Sequence, residues 1–171
     1  MKLYVGTYHK YNCGSIYGKW IDLDDFSNKD EFLSACLEVH KDEDDPELMF
    51  QDVEFEYGWE HQLYSESFIS PSYWGIKDAL SRNKLSEEVF SAYVQYKSED
   101  ITEELVSQCA ENYQGEYSDL KSFAESYCEE TGMIDEVPPF FRDHIDYESI
   151  ARDMECSSEF FESEGYVFRS W

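Results

Sequence analysis

The stretch "HKDEDDPELMF", His40 to Phe50, places Asp42, Glu43, Asp44, Asp45 and Glu47 within six positions, interrupted only by Pro46. Carboxylates at this density suggest divalent-cation chemistry first. A helix–loop–helix calcium loop needs acids at alternate positions, a glycine at the sixth and a glutamate at the twelfth. Counted from Asp42, the fifth residue is Pro46 and the sixth is Glu47, with no glycine. The run therefore reads as a dense acidic patch, and no metal site is expected.

Other reactive residue types fare no better. The chain has no Walker loop, no GxGxxG, no HExxH and no GxSxG. His9, His40, His61 and His144 are scattered and read as surface or structural histidines. Paired carboxylates suit glycoside hydrolysis, but among 39 acids close pairs arise by chance. Cys13, Cys36, Cys109, Cys128 and Cys156 are odd in number and form no CxxC, so they read as buried free thiols in a reducing cytosol rather than a disulfide framework or zinc knuckle. The sequence gives no ground for an enzyme or a cofactor.

What remains is the charge itself. The 171 residues carry 39 acids against 13 bases, a formal net charge of -26. Acidic disordered chains are poor in aromatics because they cannot bury enough apolar surface; here 18% of residues are aromatic and 42% hydrophobic, so the chain folds. A small domain needs a net charge of only about 2–8 for solubility. The excess fits either a generic acidic, salt-tolerant surface or a surface made to attract cationic partners. Basic patches, the mark of nucleic-acid binders, are missing, and anionic membranes would repel the chain. The opening "MKLYVGTYHK" lacks a signal-peptide core and no stretch is apolar enough to span a bilayer, so a cytoplasmic location is expected.

The elements expected to position these charges are α+β. "KLYVGTY" and "SIYGKWIDL" read as strands around an "NCGS" turn, followed by a helix over "KDEFLSACLEVH" with Phe32, Leu33, Cys36 and Leu37 inside. Alternation in "DVEFEYGW" predicts a half-buried strand at Asp52–Tyr57 whose wet face carries Glu54 and Glu56. The middle reads as helical. Ser70 and Pro71 open one helix; Ser86 caps a second, with Glu87 and Glu88 in its first turn and Leu85 on Phe90 as a staple; Thr102 caps a third, with Glu103 and Glu104 following. A helix over "SDLKSFAESYCEETG" ends at Gly132, two short helices follow, and "SSEFFES" with "GYVFRSW" closes the chain as a hairpin.

Acidity runs through all of these. Residues 1–57 hold 14 acids and 5 bases, 58–114 hold 10 and 4, and 115–171 hold 15 and 4. Duplex DNA carries one charge per about 1.7 Å of axis, so 26 charges match roughly 44 Å of duplex. A protein with a long basic groove would meet such an object as a competitor of DNA.

Two stretches carry a resemblance. "YNCGSIYGKW" supplies Tyr11, Asn12, Gly14, Gly18 and Trp20, and "EETGMIDEVPPFFRDHIDYESIARDM" supplies Glu130, Thr131, Gly132, Val137, Pro138, Ile145, Asp146, Tyr147, Arg152 and Asp153. Together they resemble the ArdA antirestriction proteins of mobile genetic elements. Ile21 and Ala151 depart from the family pattern, which favours an aromatic and a glycine there. The resemblance implies an elongated α+β protein of three small modules, 1–62, 63–106 and 107–171. It implies a homodimer formed through the last module, mimicking bent DNA in the groove of a type I restriction-modification enzyme, at its methyltransferase core. The second stretch would lie near the dimer interface, with Val137, Pro138, Ile145 and Tyr147 as core packing and Asp153 available to pair with Arg152. Phosphate-like charges are expected from Asp22, Asp24, Asp25, Glu54, Glu56, Glu87, Glu88, Glu103, Glu104, Asp135, Glu136, Asp143, Glu148, Asp153 and the run from Asp42 to Glu47. The alternative is an acidic decoy for another basic DNA-binding partner, such as a nucleoid protein.

Overall fold

A computed structural model describes residues 1–170. The chain is α+β and divides into two compact units, Met1–Ser107 and a second beginning at Gln108.

The first unit starts with a three-stranded antiparallel sheet in the order β2-β1-β3: β1 Lys2–Thr7, β2 Lys19–Asp22 and β3 Leu48–Glu54. The central strand β1 buries Leu3 and Val5 completely, as period-two alternation requires of a strand covered on one face. Lys2 at its start stands opposite Asp22 on one side and Glu54 on the other, so opposite charges meet across both ladders. Between β1 and β2 the chain forms a short helix, α1 Tyr8–Asn12, capped by the Thr7 hydroxyl. The sequence pattern predicts extended chain through Tyr8 and a second strand from Ser15. The Thr7 cap instead starts a helix at Tyr8, and strand pairing resumes only at Lys19.

Helix α2, Lys29–Val39, is opened by Asn28, whose side-chain oxygen accepts from the Glu31 N–H at 3.0 Å, while Glu31 accepts from the Ser27 N–H. It buries Phe32 and Cys36, whereas Leu37, expected inside, is exposed. The strand expected at Asp52–Tyr57 begins earlier, at Leu48, where Leu48, Met49 and Phe50 pair with Thr7, Gly6 and Val5 of β1, and it ends at Glu54. A two-stranded ladder of β4 Tyr64–Ser65 and β5 Phe68–Ile69 follows, too short to show in the sequence pattern. Then come α3 Ser72–Asn83, α4 Glu87–Lys97 and α5 Glu103–Asn112, within which the division between units falls.

Residues 1–62 pack against the helices that follow them. Phe32 packs against Phe26, Phe50 and Trp74, and Trp59 stacks on Tyr73 and meets Phe90 edge-on. The Trp74 indole donates to the Phe26 carbonyl at 2.9 Å, as a buried indole must find an acceptor. Helix starts follow local chemistry: the Ser86 hydroxyl accepts from Val89 N–H, and Thr102 accepts from Leu105 N–H. The Ser70 hydroxyl accepts from the Ser72 N–H, but the cap position itself is Pro71, one residue later than expected.

In the second unit a sheet of order β6-β8-β7 (β6 Tyr113–Glu116, β7 Phe160–Ser163, β8 Tyr166–Arg169) is joined by the helices α6 Leu120–Glu130, α7 Pro139–Arg142 and α8 Tyr147–Cys156. The β7–β8 hairpin forms as the pattern predicts; β6 is the strand the pattern misses. Phe123, Phe160 and Val167 make the core, with Tyr117, Leu120, Tyr127 and Met154 packed around it. Gly132 ends α6 with φ at 75°, the left-handed conformation that favours glycine at this position. Cys36, Cys109 and Cys128 are buried, while Cys13 and Cys156, also expected inside, are exposed. No helix among the described residues is long and apolar enough to cross a membrane.

Candidate functional site

The acidic run follows α2 and forms the turn that leads into β3. His40 at the end of α2 is fully buried. Its Nδ1 lies 3.0 Å from the Lys10 ammonium and its Nε2 lies 3.1 Å from the Val5 carbonyl. An ammonium can only donate, so Nδ1 accepts and Nε2 carries the proton. Lys10, held on α1, also binds Asp42 at 2.8 Å and Glu43 at 3.2 Å, and Glu43 accepts from the Thr7 hydroxyl at 2.8 Å. The Lys10 hydrogen bond leads in holding the Asp42 carboxyl below the usual range. Burial works to raise Glu43, and the Thr7 and Lys10 hydrogen bonds overcome it, leaving that carboxyl lowered as well. Two carboxylates of the run are thus tied down, while Asp44, Asp45 and Glu47 are exposed.

A second set centres on Lys77 of α3, which binds Asp24 at 3.2 Å and Glu87 at 2.5 Å. Asp24 also accepts from the Tyr73 hydroxyl at 2.8 Å. Burial pushes Asp24 up, but Tyr73 and Lys77 outweigh it and the carboxyl is lowered. Glu87 goes the other way: burial is the main cause, and it leaves this carboxyl raised in spite of Lys77. Asp22 caps a short turn by accepting from the Asp24 N–H, and Asp25 is exposed. Glu88, at the start of α4, is lowered by its backbone hydrogen bond, by Ser86 and by the Tyr57 hydroxyl. Glu54 and Glu56 lie exposed opposite half-buried Val53, Phe55 and Tyr57, the alternation expected. Glu103 pairs with Arg82 at 3.0 Å on the surface, and Glu104 is exposed.

The second unit uses its few bases differently. Arg142 spends its guanidinium on backbone carbonyls, donating to Val137 at 3.0 Å and Asp135 at 3.3 Å, and reaches the Asp135 carboxylate only at 3.8 Å. Asp135, Glu136, Asp143, Glu148 and Asp153 are all exposed. Asp146 is a helix cap: it accepts from the Ser149 hydroxyl at 2.7 Å and the Ser149 N–H at 3.1 Å, which together hold its carboxyl down. Arg152 adds its charge to Asp146, and among the described residues it forms no ion pair with Asp153. Glu130 accepts from Ser126, and the Thr131 hydroxyl donates to the Tyr127 carbonyl, closing α6 ahead of Gly132.

The stretch from Glu130 to Asp153 borders two adjoining grooves that share Ile134 and Ile145. One, of about 600 Å³, is lined by Glu125, Glu129, Asp143, Asp146 and Glu148 together with Lys121 and Arg142. The other, of about 400 Å³, is apolar, with Tyr127, Met133, Val137, Ile150 and Met154 on its walls. Val137, Ile145 and Tyr147 are half-buried, but Pro138, expected in the core, is exposed. Met133, Phe140 and Phe141 are exposed large apolar side chains of the same stretch. Among the described residues no three His, Cys, Asp or Glu side chains come together as a metal ion would require.

The sequence pattern misses Lys10, His40 and Thr7, whose partners lie about thirty or more positions away. It also misses the fully buried Glu60, which accepts from the Glu56 and Tyr57 N–H groups; its place three residues after Tyr57, as in a capping box, was the available signal. No curated protein matches the chain. The profile of a family described as "Antirestriction protein (ArdA)" matches residues 3–168, which includes nearly all of both compact units.

Proposed function

The chain belongs to the ArdA antirestriction family, matched over residues 3–168, and from that premise we propose that it is a DNA mimic. It occupies the DNA-binding groove of a type I restriction-modification enzyme and blocks restriction, protecting incoming mobile DNA in the cytoplasm. The observation that carries the proposal is a net charge of -26 on a folded chain whose carboxylates are exposed in both units. A disordered acidic chain would have to order its charges on binding. Here caps and ion pairs hold part of the array in advance, which lowers that cost.

The proposal includes a homodimer formed through the second unit, supported by the exposed Met133 on the apolar groove and by the exposed Phe140 and Phe141. It also includes an elongated arrangement of three modules, 1–62, 63–106 and 107–171, for which small-angle scattering is the check. No catalytic step is assigned. The function is tested by adding the purified protein to a type I enzyme cutting unmodified DNA. Cleavage should stop at near-stoichiometric protein, and undiminished cleavage at large excess overturns the proposal.

A further inference from the structure

The segment from Tyr11 on α1, through the following loop, to Trp20 on β2 shows its apolar groups to solvent. Ile16 is 76% exposed, Tyr17 57%, Tyr11 52% and Trp20 39%. Connecting loops are ordinarily more mobile than the elements they join. This one is held. The Tyr4 hydroxyl donates to the Ile16 carbonyl at 3.1 Å, the Ser15 N–H donates to the Lys10 carbonyl at 2.9 Å, and the Gly14 N–H donates to the Tyr11 carbonyl at 2.9 Å. At Gly18 the chain passes so close to β1 that a Cβ would stand 2.5 Å from the Val5 carbonyl oxygen. Trp20 lies edge-on to Tyr4 with ring centres 5.4 Å apart.

The same loop borders the acidic run. The Tyr17 ring lies 4.8 Å from the Lys10 ammonium and edge-on to His40 at 5.9 Å. Lys10 is the cation that holds Asp42 and Glu43. An exposed aromatic side chain therefore sits next to the cation that holds two carboxylates.

We propose that the loop from Tyr11 to Trp20 is a contact surface that stands in for the bases of DNA, as the carboxylates stand in for its phosphates. Its occupant is the DNA-binding groove of a nucleic-acid enzyme, and the inference rests on the DNA-mimic reading above. A groove that acts on bases needs more than Lys and Arg. Enzymes that modify a base receive it out of the stack between aromatic and apolar side chains, and aromatic groups are the general means of holding bases. A mimic of phosphates alone would leave such groups facing water. Aromatic anchors are also enriched among the residues that dominate binding at interfaces.

Ionic contacts weaken with salt, whereas apolar contacts do not. The experiment measures affinity for a type I methyltransferase core from low to high salt, using the full chain and a Tyr11→Ser/Ile16→Ser variant. Neither side chain takes part in the ring contacts that hold the loop, and circular dichroism checks the fold. The variant is expected to bind at least tenfold more weakly at every salt concentration, with the salt slope unchanged. An Asp44→Asn/Asp45→Asn variant should instead flatten the slope. Unchanged affinity of the folded Tyr11/Ile16 variant, with the parent chain still binding, overturns the loop contact alone. A shift of that variant toward monomer in sedimentation also overturns it, by making the loop a contact between copies. Failure of the parent chain to bind the core at any salt overturns the DNA-mimic reading itself.

Discussion

The two units carry similar excess charge by different means. The first, with 23 acids against 9 bases, places Lys10, Lys77 and Arg82 inside its acidic clusters. The second, shorter and with 16 acids against 4 bases, packs a net -12 into 64 residues against -14 in 107. Asp119 and Asp146 are held there as helix caps, and Arg142 donates mainly to backbone carbonyls, reaching the Asp135 carboxylate at 3.8 Å. Where cations are built into an acidic face, individual carboxylates gain fixed positions. Where they are fewer, the face is a denser solvated layer over a small core. The first unit should therefore respond to loss of single cations, and the second to loss of core contacts.

Truncating the core of the second unit is the strongest way to separate the two. Phe123 is 2% exposed and packs on Phe160 with ring centres 4.9 Å apart. Phe123→Ala should cost about 3–5 kcal/mol, a large share of the stability of so small a unit. Hydrogen exchange should show protection lost from α6 and β8 while β1 and α3 keep theirs. Equal loss in both units would show that they fold as one.

Next in size, Lys77→Met removes the cation shared by Asp24 and Glu87. All three side chains keep some solvent contact, at 27%, 40% and 23% exposure. The cost should therefore be about 1–2 kcal/mol, below that of breaking a fully buried pair. Urea unfolding of the first unit is the readout. A cost no larger than that of Lys41→Met, whose pair with Glu38 is fully on the surface, would remove the distinction drawn for built-in cations.

Acid titration sharpens the same point. Asp24 is lowered from 3.8, so the unfolded chain takes up more protons in that range, and the stability Asp24 adds is lost as pH falls through its folded value. Glu87 is raised from 4.5, so its contribution is present at low pH and lost as pH rises through its folded value. Asp24→Asn should flatten the acid loss of stability and Glu87→Gln should steepen it, seen as opposite changes in the pH dependence of the unfolding midpoint. Changes of the same sign would contradict the assignment. The smallest effect belongs to the free charges: Asp44→Asn should alter stability by less than about 0.5 kcal/mol and partner binding by up to about 1 kcal/mol.

Much of the second unit and of the helix starts was legible in the chain, because caps act over three or four residues. Ser86, Thr102 and Gly132 all do what their spacing implies. The β7–β8 hairpin was legible for the same reason. Strand β6 was not, since "YQGE" has no apolar alternation and its partner β8 lies some fifty residues away. In the candidate site, exposure of Glu54 and Glu56 followed from alternation. The binding of Asp24 by Tyr73 and of Asp42 by Lys10 did not, because both depend on tertiary packing that local pattern does not encode. Exposure of Ile16 and Phe140 was equally hidden, as apolar residues in a sequence imply burial until the fold shows otherwise.

The central claim is that carboxylates of both units act together in place of phosphates. The most direct test is displacement of a labelled duplex from a type I methyltransferase core, titrated with the full chain at about 0.1 M salt. The account predicts release of the duplex near one equivalent of inhibitor per DNA site, weakening steeply as salt rises. A duplex that stays bound at many equivalents, or is released with no dependence on salt, would contradict it.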